Sequence, residues 1–286
     1  MSINLKEVSE EIKSLIEVRK ENLRLSFVEK KHIYYMMDES GKIRSNYPSV
    51  SKVIKKFFEP FDADGISLRM AKGDAQQQKV ILAEWRAAGD YSTNLGSRVH
   101  YELEKELIGR NGDYKKVRKP IFTINEEQER KSDNMIVAGK NYLNLMEERG
   151  AVLLDTEMVL GDPVLGYTGQ PDKTWLMLNR AQTDFGLVVT DWKSNQPKNF
   201  EINEYTKGMY PPFQNFPNNA LGHYYLQIPL YGRLLKKMLE GTKYENISFL
   251  GGVIVLLKEN GEYTEYKVPQ EIVTTIMSMD LTKYVK

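Results

Sequence analysis

The chain has 286 residues, 41% of them apolar and 28% charged, and its 40 basic against 39 acidic side chains leave a net charge of +1. That length can carry a full hydrophobic core, and the balance excludes a uniformly basic nucleic-acid coat while allowing a local basic groove. The sequence has no cysteine, which excludes disulfides, thiolate zinc sites and Cys-ligated iron–sulfur clusters.

No apolar run approaches the roughly 20 residues that span a bilayer. The opening segment has neither the apolar core of a signal peptide nor the acid-poor bias of a presequence, so a cytoplasmic protein is expected. Residues 3–28 are predicted to form one amphipathic helix, because Leu5, Val8, Ile12, Leu15 and Ile16 recur at helical spacing. A hairpin follows, with Ser40 and Gly41 at its turn. SVSKVIKKFF restarts a helix with Ser49 or Ser51 as cap, and residues 64–90 read as mostly helical and polar. YSTNLGSRVHYELEKELIG is predicted as a helix of its own, capped within Ser92–Asn94 and stopped by Gly109, and a further helix ends at Gly150.

Beyond Gly150 the pattern alternates. AVLLDTEMVL, DKTWLML and FGLVVTDWKS read as strands, residues 196–220 as a proline-rich loop, and HYYLQIPLYGRLLKKMLEG as a helix. SFLGGVIVLL and EYTEYKV flank the turn KENG, and a short helix closes the chain. The expected organisation is a single α/β domain over residues 1–286. Residues 1–150 are mainly helical with a small hairpin, and residues 151–286 form an α/β core of about four or five strands.

In VVTDWKS, strand alternation places Val189, Asp191 and Lys193 on one face and Val188, Thr190 and Trp192 on the other. An Asp and a Lys so placed commonly make an exposed ion pair of little energetic weight. Upstream, however, Asp172 follows Pro171 and opens the strand expected to lie beside residues 185–193. Two carboxylates that meet repel, so one is protonated unless a cation sits between them. Hard divalent cations take carboxylate oxygens, carbonyls and water, and Glu157 on the preceding strand supplies a third acid. Lys193 can then hold a metal-acidified water, help deprotonate it and stabilise charge developing on a phosphate. Such a set suits phosphodiester hydrolysis.

QPD followed by DWK resembles the PD-(D/E)XK nuclease superfamily. LGSRVHYELE is similar to the upstream G-x-x-x-H motif of its RecB-like branch, with Gly96 and His100 on one helix face. LQIPLY is similar to the downstream Q-x-x-x-Y motif, giving Gln227 and Tyr231, although Pro229 between them implies a kinked or late-starting helix. YPSVSKVIKKF and MYPPFQNFP resemble segments of phage exonucleases and mitochondrial genome maintenance exonucleases, with Ser51 in place of a Thr.

This resemblance covers residues 45–257. It implies a restriction-endonuclease-like core of mixed strands flanked by helices, and Mg²⁺ or Mn²⁺ held by Asp172, Asp191, His100, Glu157 and the Trp192 carbonyl. Lys193 would position water, and Gln227 and Tyr231 would brace the site or the DNA. Residues 50–110 would arch over the cleft and favour threading of single-stranded DNA ends. Replication, recombination or repair in a phage or bacterium is the implied setting, with a helicase, recombinase or single-strand-binding protein as partner and no membrane. An endonuclease with the same core, and a DNA-binding scaffold without chemistry, stay open as alternatives.

The remaining candidates have plainer readings beside them. His100 can bond Glu104 on a helix surface, and Glu157 can be a strand-edge charge. Lys207, Tyr210 and Phe213 suit stacking on unpaired bases and equally a loop packed by its own side chains. Arg98 and Ser49 are DNA-binding or bracing candidates. VIKKFF and YKKVRK are basic clusters that either contact phosphate or form solvated faces.

Overall fold

The computed structural model describes residues 3–112, 117 and 119–285. Among these are eight helices, a mixed five-stranded sheet and two smaller sheets. Helix α1 (Leu5–Asn22) buries Ile12 and Ile16 completely. It ends short of the expected residue 28 because Arg24 turns to φ +47°. β1 (Ser26–Val28) then pairs antiparallel with β2 (Ile33–Met37), which folds back on β3 (Ile43–Arg44) through Gly41 at φ +82°. α2 (Val50–Ile54) and α3 (Ala63–Met70) follow.

Helix α4 (Ala75–Arg110) departs most from the expectation. It is one helix of 36 residues, about 54 Å long at 1.5 Å per residue. Ser92–Asn94 lie inside it and cap nothing. Its start is fixed at Asp74, whose side chain accepts from the Gln76 and Gln77 amides directly after Lys72 and Gly73 take φ of +50° and +85°. Ala75, Ala83, Ala87 and Ala88 then let the helix propagate through the cap-like residues. Over residues 75–94 only Ile81 is buried, so this half stands clear of the core. The second half lies against α5 (Glu126–Glu148), which opens on a capping box between Asn125 and Gln128.

The alternating region supplies β4 (Val152–Thr156), β5 (Leu160–Asp162), β6 (Tyr167–Gly169), β7 (Lys173–Leu178) and β8 (Phe185–Lys193). The strand expected over AVLLDTEMVL is broken: β4 ends at Thr156, Glu157 takes φ +49°, and β5 pairs with β6 in a separate two-stranded sheet. After the loop, α6 (Ala220–Met238) leads to the hairpin of β9 (Ser248–Leu257) and β10 (Tyr263–Lys267), then α7 (Gln270–Ser278) and α8 (Thr282–Val285). α6 begins well before Pro229 and continues through it, so a late start is ruled out.

The main sheet has the order β10-β9-β8-β7-β4. Its β8–β9 pair is parallel, which requires a crossover, and α6 provides it. Alternate strand residues feed two cores. Leu176, Val189, Ile254 and Leu256 pack with α1, α2, α6 and α7; Trp175, Trp192, Val255 and Leu257 pack with α4 and α5. The expected α/β class with a helical N-terminal half is therefore observed as helices on both faces of a mixed sheet. No described helix is long and apolar enough to cross a membrane.

Candidate metal centre

Strand register brings the acids together. β7 and β8 pair antiparallel with Lys173 opposite Thr190, so Asp172 comes to the end of β8. There its Oδ2 accepts from the Trp192 amide at 3.1 Å, and its carbonyl accepts from the Glu157 amide at 3.1 Å. The left-handed turn at Glu157 thus stands beside the start of β7, just outside the strand on which it was expected. From the other side α4 closes on Ser194, just past the end of β8, at Gly96, where an added Cβ would sit 2.9 Å from Ser194 Oγ.

One turn beyond Gly96, His100 Nε2 lies 3.0 Å from the Trp192 carbonyl, and Nδ1 lies 3.5 Å from Asp172 Oδ2. Burial lowers the His100 pKa to about 4, so the ring is neutral near pH 7. A carbonyl can only accept, so Nε2 carries the hydrogen and Nδ1 presents its lone pair toward Asp172. The Trp192 carbonyl, expected as a metal ligand, is engaged by His100, and His100 is bonded here rather than to Glu104. His100, Glu157 and Asp172 each offer a ligand atom within 4.8 Å of the others.

Asp191 and Lys193 adjoin this group. Asp191 is 1% exposed, and its Oδ2 lies 2.5 Å from Lys193 Nζ. Burial and the neighbouring Asp172 push the Asp191 carboxyl up to about 7. Burial and Asp172 likewise raise Glu157 well above the usual carboxylate range. Burial also opposes the charge on Asp172, but His100, which is protonated over the acidic range where Asp172 titrates, together with Lys173 and Lys193 outweighs it and holds that group low. Two acids beside an ionised third are reluctant to ionise, which is the repulsion that a bound cation relieves. Asp191 Oδ1 is also buried with no hydrogen-bond donor among the described residues. One imidazole nitrogen, several carboxylates and an unserved oxygen fit a hard divalent cation such as Mg²⁺ or Mn²⁺.

Two residues that the sequence reading did not nominate belong to this cluster. Lys173 is 3% exposed, with Nζ 3.3 Å from the centre of the Trp192 ring and 3.7 Å from Asp172 Oδ2. Burial lowers its pKa, while Asp172, Glu157, Asp191 and Glu104 favour its charge. Glu104, one turn beyond His100, accepts from Thr156 Oγ1 at 3.3 Å. The available signals were the alternation of Lys173 with buried Trp175 and the helical spacing of Glu104 from His100.

Gln227 Nε2 donates to the Tyr231 hydroxyl at 2.8 Å, so their spacing survives Pro229. Burial raises the Tyr231 pKa, with Asp191 adding to it, and the ring packs over Gly169. Lys193 Nζ stands 4.4 Å from the centre of the Tyr224 ring. Burial lowers His223 to about 4, helped by Lys193 and Lys55.

Other candidates are held elsewhere. Ser49 precedes α2 and bridges to Thr168 through backbone, without a side-chain cap bond. Lys207 is exposed and paired to Glu59 at 2.7 Å, and Tyr210 is 45% exposed. Phe213 is 1% exposed and meets Phe57 edge-on at 5.1 Å, so a base-stacking role is corrected to a core role. Most of YKKVRK lies outside the described residues.

Arg98, expected at a phosphate, is held by α5 instead. It donates to the Glu129 carbonyl at 2.9 Å, to Ser132 Oγ, and to Asp133 Oδ1 at 2.7 Å. Arg98→Ala is expected to cost about 1–3 kcal/mol by denaturant unfolding, the scale of groups left without partners. The salt dependence of DNA binding should not change; a loss of about one unit of slope would restore the phosphate reading.

No protein-family model matches the chain, and no curated protein matches it. Residue chemistry and geometry therefore carry the functional argument.

Proposed function

We propose that the chain is a metal-dependent DNA exonuclease of the RecB-like PD-(D/E)XK type, acting on single-stranded ends with Mg²⁺ or Mn²⁺. The observation that carries this reading is the convergence of His100, Glu157 and Asp172 beside the Asp191–Lys193 pair at the ends of two adjacent strands. His100 Nδ1, Asp172 and Glu157, with Asp191, would hold the ion. A bound divalent cation supplies Lewis-acid polarisation of a phosphoryl oxygen and a more acidic water.

The chain's own groups perform the rest. The Asp191 carboxylate steadies Lys193 Nζ, which donates to the attacking water and balances charge developing on the phosphate. The Trp192 carbonyl keeps His100 in the tautomer that faces Asp172. The Gln227–Tyr231 bond fixes a buried phenol near the two aspartates. The projecting half of α4 supports the preference for free ends, because an arm beyond the core can enclose a strand.

The test is degradation of an end-labelled linear single strand and a circular strand of similar sequence, with Mg²⁺ or Mn²⁺. Digestion of the linear strand alone is expected, with Lys193→Ala slower by about 10²–10³-fold, the scale of a lost donor to developing charge. Cutting of both strands by the wild type makes the protein an endonuclease with the same chemistry. Binding without cutting of either removes the nuclease reading.

A further inference from the structure

We propose that Tyr224 is a positioning residue for Lys193, its ring face fixing the ammonium that meets the attacking water. This rests on the nuclease reading above and adds a residue to which that reading gives no role. Lysine ends on a flexible four-carbon stem with rotatable donors. Among the described residues the ion-pair partner of Lys193 is Asp191, at 2.5 Å. One carboxylate contact leaves such a head free to swing about it. The second contact is the Tyr224 ring, whose centre lies 4.4 Å from Nζ. A cation within about 6 Å of an aromatic face is drawn to the negative side of the ring quadrupole, more strongly where water is excluded. The Lys193 side chain is 17% exposed and Tyr224 is half-buried, so the contact is largely shielded. The ring also adds no formal charge beside Asp172 and Asp191, as a second carboxylate would.

The ring is itself aimed. Its hydroxyl donates to Asn195 Oδ1 at 3.1 Å, so the chain just past Lys193 carries the group that orients the face on which Lys193 rests. The rings of Phe200 and His223 stand 5.8 and 5.9 Å from it. On α6, Tyr224 precedes Gln227 and Tyr231 at helical spacing, which puts the three on one face. The stripe that holds the Gln227–Tyr231 bond therefore continues to Lys193. The other lysine of the cluster is seated in the same manner, with Lys173 Nζ 3.3 Å from the centre of the Trp192 ring.

Fluorine withdraws charge from a ring face while barely changing its shape. The experiment replaces Tyr224 in the full chain by phenylalanine and by its mono-, di- and trifluorinated analogues, beside Tyr224→Leu. Cleavage of linear single-stranded DNA with Mn²⁺ is the first readout. Tyr224→Phe should stay within about threefold of wild type, and the rate should fall stepwise with each fluorine. Tyr224→Leu should lose about 5–30-fold in kcat, the scale of one shielded cation–π contact, with KM unchanged within about twofold. The second readout needs neither metal nor DNA: in ¹³C-lysine-labelled protein, ring current should move the Lys193 Cε protons upfield in the wild type and Tyr224→Phe, but not in Tyr224→Leu. A flat fluorine series, a Tyr224→Phe as slow as Tyr224→Leu, or unshifted Lys193 protons in the wild type overturns the proposal. Should Tyr224→Leu fail to fold, the fluorine series decides alone. A wild type that shows the shift but cuts no DNA removes the nuclease reading, and the role of Tyr224 with it.

Discussion

Asp172→Asn is expected to abolish measurable divalent-cation binding and to slow DNA cleavage by about a thousandfold or more. Metal polarisation contributes several kcal/mol to a transition state, and about 4 kcal/mol is a thousandfold in rate. Asp172 is the junction of the cluster: its Oδ2 faces His100 Nδ1 and Lys173 Nζ and accepts from the Trp192 amide. The Asn amide oxygen can still accept from that backbone N–H, so the strand ends should hold while the charge disappears. Mn²⁺ titration, single-turnover cleavage and a thermal melt together check this. Cleavage within tenfold of wild type, by a folded variant, would remove Asp172 from the chemistry.

Phe213→Ala is expected to cost about 3–5 kcal/mol of stability, the usual loss for a buried phenylalanine. The ring sits in the core shared by α2, α6 and the main sheet, edge-on to Phe57. In the variant that remains folded, affinity for single-stranded DNA should be unchanged. A base-stacking ring would behave in the opposite way, losing about 1–3 kcal/mol of binding with little change in the melt. Denaturant unfolding and a binding titration of the same preparation separate the two cases.

The meeting of Asp172 and Asp191 was legible because it needs only strand alternation and one antiparallel neighbour. The approach of His100 was legible for a similar reason: Gly96 and His100 are one helical turn apart. Glu157 was harder to place. Local pattern continued its strand to residue 160, whereas a left-handed residue ended it and re-aimed the chain. Such a conformation is uncommon outside glycine, and tertiary contacts impose it. Lys173 was missed because a lysine beside an aspartate reads as surface, and burial of an ammonium depends on acids distant in sequence. Ser92–Asn94 misled because capping residues act only where a helix actually begins. Phe213 misled because aromatic composition does not report which way a ring faces.

Helix α4 carries His100 and the projecting residues 75–94 on one continuous rod. Around His100 the rod is clamped: Leu95, Val99 and Leu103 are buried, and Arg98 is bonded to Glu129, Ser132 and Asp133 of α5. The arm extends about 30 Å beyond this clamp, at 1.5 Å per residue. A strand that grips the arm therefore pulls on a helix whose root is fixed, and the imidazole keeps its place against Asp172 while the tip yields.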